Sequence, residues 1–205
     1  MNRRGLSLLE MILAIGITSI VGAAIAATMA AASTSLSSRD DGRQSAIRLA
    51  TTQVRLGAYI APSRCILEKS DTCITLWLED SREGKTVHAT EIRWIQFDEQ
   101  RKELNVKFVS LPTEWSESMI DAADIECNSL TNYEMLLESF EAVDLIDSIS
   151  LVDSMSSCIF WINNSNPIEA TQISIRFSLE SSFGETNDSI IDEAIRIHQT
   201  PSEQL

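Results

Sequence analysis

Between Met11 and Ala32 the chain carries no charged residue. Leu6, Ser7, Leu8 and Leu9, just ahead of Glu10, extend this to an apolar run of ~26 residues, ~39 Å long as a helix at ~1.5 Å per residue. A bilayer core needs only ~20 such residues, so the run is long enough to span a membrane with some tilt. A secretory signal peptide is the competing reading. Its apolar region is usually ~7–15 residues and ends at a small-residue cut site. Here the run is longer, and only its alanine-rich end, Ala23 to Ala32, supports removal. The expectation is a spanning helix. Arg3 and Arg4 lie immediately before it, and basic residues at a span end stay on the cytoplasmic side. The chain after the span then faces outward and is long enough for one domain.

Glu10 interrupts this picture. A carboxylate at the centre of a span costs ~2.5–3.5 kcal/mol on insertion scales. Near the edge the cost is smaller, but the group still needs a partner. Arg3 and Arg4 supply one while they remain attached. A cut after Gly5 would supply another, because the new amino group on Leu6 is cationic near neutral pH. Positions 6 and 10 are one helical turn apart on the same side. The same amine reaches the Glu10 of a neighbouring copy if helices pack with an axial shift. The bland alternative is a polar residue near a helix end that reaches back to the interface.

The stretch Arg3-Arg4-Gly5-Leu6-Ser7-Leu8-Leu9-Glu10 and the uncharged span after it closely resemble the class III leader of type IV prepilins and type II secretion pseudopilins. The resemblance implies cleavage after Gly5 by a prepilin peptidase and methylation of the new amino terminus on Leu6. It implies that Glu10, fifth in the mature chain, pairs with a neighbouring subunit's amine during assembly. Its partners would be that peptidase, other minor and major pseudopilins or pilins, and the inner membrane. The protein would be a single-pass inner (cytoplasmic) membrane protein with a cytoplasmic N-terminus and a periplasmic or otherwise extracytoplasmic C-terminal domain. Two departures matter. The family usually begins its mature chain with phenylalanine or methionine, and here Leu6 takes that place. Major pilins commonly carry a proline late in the span; this span has none, which favours a minor subunit.

Beyond the span, "STSLSSRDDG" at 33–42 is polar and only weakly helical, and Gly42 is a candidate bend. From Arg43 to Ile60 helical spacing returns, with Ile47, Ala50, Val54 and Ala58 on one face, and Pro62 ends the helix. The period then changes to two. Ile74, Leu76 and Leu78 alternate, as do Leu104, Val106 and Phe108, and Ile173, Ile175, Phe177 and Leu179. Residues 91–109 read as a hairpin around a charged turn at Asp98 to Lys102. Residues 158–162 read as a strand, and a Pro-led alternating stretch runs from Pro167 to Leu179, with Gln172 to Leu179 as the strand that joins the sheet of the hairpin. Residues 132–152 are ambiguous: Leu136, Phe140 and Val143 fit a helix, and the end fits a strand. The hairpin and the Pro-led strand resemble the J-type minor pseudopilins. The expected organisation is a leader at 1–5, a membrane and assembly helix at 6–32, its amphipathic continuation at 33–62, and an exported domain at 63–205. The expected fold is pilin-like α+β: a long N-terminal helix packed on an antiparallel sheet.

The formal net charge is −14, which argues against nucleic acid as a partner. Four cysteines, Cys65, Cys73, Cys127 and Cys158, permit disulfides in an exported domain. Cys65 and Cys73 are nearest in sequence and form the favoured pair; buried free thiols are the alternative. Neither histidine, His88 or His198, has a cysteine or glutamate at ligand spacing, and no metal, cofactor or catalytic motif is present. Acidic turns at 79–84 and 98–103 suit solvent better than Ca²⁺. Trp77, Trp94, Trp115 and Trp161 are expected in the core or on sheet faces. The sequence therefore points to a structural subunit rather than an enzyme: a minor pseudopilin of a type II secretion-like filament. The alternatives are a minor pilin of a type IV pilus, or a membrane-anchored binding domain with an uncleaved anchor.

Overall fold

The structure, a computed structural model, describes residues 8–79, 81–82, 84–180 and 186–202. In chain order its elements are α1 (Leu8–Ile60), β1 (Cys65–Lys69), β2 (Cys73–Trp77), β3 (Val87–His88), β4 (Ile92–Asp98), β5 (Glu103–Val109), α2 (Glu117–Ala123), β6 (Glu126–Cys127), α3 (Tyr133–Glu141), β7 (Ile146–Val152), β8 (Met155–Ile162), β9 (Gln172–Glu180) and β10 (Thr186–Ala194). The chain divides into two units, Met1–Gln44 and Ser45–Leu205.

In the first unit, α1 contains the stretch Met11–Ala30, with a mean hydropathy of 2.1 and none of it buried. This one helix is long and apolar enough to cross a membrane. Its hydroxyls turn back on their own helix. Ser19 Oγ donates to the Ile15 carbonyl at 2.8 Å, Thr18 Oγ1 to the same carbonyl at 3.0 Å, and Thr28 Oγ1 to the Ile25 carbonyl at 2.9 Å. Such bonds let polar side chains sit in an apolar medium without an unsatisfied donor.

The second unit begins with the last turns of α1. Pro62 ends the helix, since proline disfavours helical geometry in the residue before it. The spacing argument assigns the packed face to Ile47, Ala50, Val54 and Ala58. The structure instead buries Thr52, Leu56 and Ile60, with Leu49 and Tyr59 packed partly against them, and leaves all four assigned residues exposed. The reason is size. The face carrying Leu49, Leu56, Tyr59 and Ile60 removes more apolar area from water than one that is half alanine.

The expectation of a single antiparallel sheet also changes. The strands form a five-stranded sheet ordered β1-β2-β4-β5-β7, a three-stranded sheet ordered β10-β9-β8, and a two-stranded β3-β6 pair. Every pairing is antiparallel. The 91–109 hairpin is present as β4 and β5, with Phe97 opposite Leu104. Its turn is held by Asp98 Oδ1, which accepts from Gln100 N and Arg101 N at 2.9 and 3.0 Å. The strand expected over Gln172 to Leu179 is present as β9, after a 3-10 turn at Pro167–Glu169 that opens the alternating stretch, but it belongs to the smaller sheet and not to that of the hairpin.

Alternation along the large sheet builds two cores. Ile74, Leu76, Ile95, Leu104 and Val106 meet the end of α1 and the inner residues of the small sheet, among them Phe160, Ile175 and Phe177. Trp77, Ile92 and Trp94 point the other way and meet Tyr133, Leu136, Leu137 and Phe140 of α3. Residues 132–152 resolve as a helix followed by a strand, α3 then β7, with Val143 outside the helix and exposed. Trp77 and Trp94 are core residues, and Trp161, 44% exposed, lies on the outer face of the small sheet, all within the expectation of core or sheet-face positions.

Candidate functional site

Of the residues the sequence singles out, Gly5 and Leu6 lie outside the described residues, and Glu10 falls within α1, one residue before the apolar Met11–Ala30 stretch. The structure therefore describes the helix that follows Arg3-Arg4-Gly5-Leu6, not that stretch itself.

The Cys65–Cys73 pairing is not formed; all four cysteines are free. The register gives the reason. Cys65 opposes Trp77 and Lys69 opposes Ile74, so Cys65 and Cys73 sit at opposite ends of the β1–β2 hairpin. Four strand steps separate them, ~13 Å at ~3.3 Å per residue, whereas a disulfide needs Cα atoms within about 7 Å. Burial pushes the thiols of Cys65, Cys73, Cys127 and Cys158 up to about 12. At neutral pH they are protonated and weak as nucleophiles or metal ligands.

The most elaborate polar centre is one the sequence reading missed. Glu91 is 1% exposed. Its Oε2 accepts from Trp77 Nε1 at 3.0 Å and from His88 N at 3.1 Å. Its Oε1 accepts from Ser81 N at 2.6 Å, Ser81 Oγ at 2.8 Å and Arg82 N at 3.2 Å. Burial acts to raise its pKa, yet these donors outweigh burial and hold the carboxyl below its usual value. Beside it, Asp124 accepts from Thr90 N at 2.9 Å and Thr90 Oγ1 at 3.0 Å, and pairs with Arg82 Nε at 3.1 Å. Only a glutamate between two apolar strands hints at this centre in the sequence, because its donors come from a loop without periodicity.

His88 lies between Thr86 Oγ1, 3.3 Å from Nε2, and Asp124 Oδ2, 3.9 Å from Nδ1. The order hydroxyl, imidazole, carboxylate suggests a nucleophilic triad. The geometry does not build one. The 3.9 Å separation is beyond hydrogen-bond reach, and Asp124 is already engaged by Thr90 and Arg82. The centre acts as a clasp: it ties the loop after β2 to β3, β6 and the start of β4. Among the described residues no group of three or more His, Cys, Asp or Glu side chains is placed to hold a metal ion.

The second unit contains a small cavity and an open groove. The cavity, of about 40 Å³, is bordered by Glu68, Cys73, Trp94 and Glu134, room for about one water. The groove, of about 740 Å³, lies between the end of α1 and the segment after β10, bordered by Val54, Ala58, Arg64, Glu193, Arg196 and Ile197. The chain matches no family model, no curated protein and no solved structure.

Proposed function

We propose that this chain is a minor pseudopilin: a structural subunit made as a membrane-anchored precursor, cut after Gly5, methylated on Leu6 and drawn into a filament through α1. The observation that carries this reading is the order of features. Arg3-Arg4-Gly5-Leu6 and Glu10 stand directly before a helix whose Met11–Ala30 stretch is uncharged, strongly apolar on average and unburied. A unit of antiparallel sheets follows. An unburied apolar helix must be covered by lipid or by other helices. A subunit that moves from a bilayer into a helical filament core exchanges one cover for the other. Glu10, at the edge of the span, then takes its counter-charge from a neighbour's Leu6 amine, which fixes axial register. The basic pair Arg3 and Arg4 sets the orientation, with the sheet-bearing unit outside the cytoplasmic membrane.

The test is N-terminal sequencing and intact mass measurement of the chain extracted from membranes that contain an active prepilin peptidase. The expected chain begins at Leu6 and is one methyl group heavier than its sequence. An intact Met1, or a start within Ala23–Ala32, would overturn the reading in favour of an uncleaved anchor or a removed signal.

A further inference from the structure

The second unit is electrically lopsided. Residues 45–64 hold Arg48, Arg55 and Arg64 and no acidic residue, whereas residues 117–144 hold eight acidic residues and no basic one. This occurs in a chain whose net charge is −14. The two regions lie on opposite faces of the five-stranded sheet. The end of α1 joins the core of Ile74, Leu76 and Ile95, and α3 joins the core of Trp77, Ile92 and Trp94 on the reverse side.

Each region pairs its charge with exposed apolar surface. On the basic side, Ile47, Ala50, Val54 and Ala58 form an exposed stripe along α1, ~16 Å long at ~1.5 Å per residue. Val54 and Ala58 run into the 740 Å³ groove, whose far wall carries the exposed Ile197. Arg64 and Arg196 flank the groove and outnumber the one carboxylate that lines it, Glu193, and neither guanidinium forms an ion pair among the described residues. On the acidic side, α3 turns Glu134, Met135 and Glu138 outward, between the exposed Leu130 and Val143. Lys107 neutralises Glu141, and Arg82 bridges Asp121 and Asp124 and offsets one of their two charges. Glu134 and Glu138 form no ion pair among the described residues.

We infer that the groove at the end of α1 docks the outward face of α3 from a second copy of this chain, with Arg64 and Arg196 meeting Glu134 and Glu138. Charge complementarity selects the occupant: the groove needs an acidic, apolar, helical surface, and the chain carries one. The two surfaces lie on opposite sides of the sheet, so the contact is head-to-tail. Each copy keeps one free groove and one free α3, and association continues in an open series rather than closing as a symmetric dimer. The contact uses only the second unit and does not rest on the leader or on Glu10.

The test is sedimentation of the full chain in detergent micelles at low salt and at ~0.5 M salt, where charges are screened beyond a few ångströms. Wild type should associate with rising concentration, and salt should weaken that association. Arg64→Glu/Arg196→Glu and Glu134→Lys/Glu138→Lys should each lower the association constant about tenfold or more, by placing like charges together. A one-to-one mixture of the two variants restores opposite charges at every junction and should associate again. Circular dichroism confirms that both variants keep the fold, as their altered side chains line the groove or face solvent. A wild-type chain that stays monomeric would overturn the inference. So would association that ignores both variants, or a mixture that stays apart, because the contact would then lie elsewhere, in the membrane helix or on another protein.

Discussion

Replacing Glu91 with glutamine leaves the side chain's shape almost unchanged and removes its charge. Both carboxylate oxygens of Glu91 are fully used as acceptors, one by Trp77 Nε1 and His88 N, the other by Ser81 N, Ser81 Oγ and Arg82 N. Whichever way a glutamine amide is turned, its NH₂ group faces donors, and at least two buried N–H groups lose their acceptor. Each buried donor left unpaired costs about 1–3 kcal/mol. Against this, the substitution removes a charge whose burial is itself costly. The direction of the pKa decides which effect wins. Burial alone would raise it, yet the carboxyl is held below its usual value, so the folded state favours the charged form. A net loss of about 3 kcal/mol is expected. For a unit the size of Ser45–Leu205 that lowers the unfolding midpoint by roughly 6–12 °C. The pH dependence has a fixed sign. A folded pKa below the unfolded one gives stability that is complete above the unfolded pKa and disappears as pH falls through the folded value. The deficit of Glu91→Gln should therefore be full at neutral pH and shrink below about pH 4. Thermal unfolding of the detergent-solubilised chain, followed by tryptophan fluorescence at neutral pH and about pH 3.5, reads both effects. A variant as stable as wild type at neutral pH would refute the reasoning, as would a deficit that persists undiminished in acid.

Three further outcomes follow from the same structure. Leu56→Ala should cost about 2–5 kcal/mol while Val54→Ala, at a position 73% exposed, should change stability by less than about 0.5 kcal/mol; equal losses in chemical denaturation would contradict the inward face of α1. The thiols, with pKa values pushed up to about 12, should resist iodoacetamide in the folded chain near neutral pH. All four should react in denaturant without reductant, and a pair that still resists, seen by mass spectrometry, would reveal a disulfide. Glu10→Gln should leave insertion and leader cleavage intact but reduce co-purification with companion filament subunits; unchanged recovery would remove the assembly role assigned to Glu10.

The fold was legible wherever one face of an element is buried and the other is not. The β4–β5 hairpin announced itself through strict alternation and a charged turn, and β9 through Ile173, Ile175, Phe177 and Leu179, all buried on one side. Strand β10 was not read, because only Ile191 among its nine residues is buried and the rest are chiefly polar and solvated. The division into two sheets was not readable either. β7 and β8 follow one another through a turn at Ser154, whose φ is 57°, yet join different sheets. Pairing between strands distant in sequence leaves no local pattern. The clasp at Glu91 was hidden for the same reason: Ser81, Arg82 and His88 become its donors only once the loop has folded around it.

The misread face of α1 carries a physical lesson about assembly. Between Ser45 and Ile60 the helix has two stripes at three- and four-residue spacing, Leu49–Thr52–Leu56–Ile60 and Ile47–Ala50–Val54–Ala58. Periodicity fits both, and a helix apolar on one stripe alone would have left no ambiguity. The fold covers the stripe with the larger side chains and leaves the other in solvent, next to two guanidiniums that form no ion pair among the described residues. Ile47 and Val54, 56% and 73% exposed, leave most of their apolar surface in water in the folded chain and contribute little to the stability of the unit they sit on. Their burial free energy becomes available only when a second surface arrives, at about 25 cal/mol per Å² of apolar area covered. Burying Arg64 and Arg196 without carboxylates would offset that gain through desolvation. The groove therefore favours acidic occupants over merely apolar ones, and among the surfaces of this chain α3 meets both conditions.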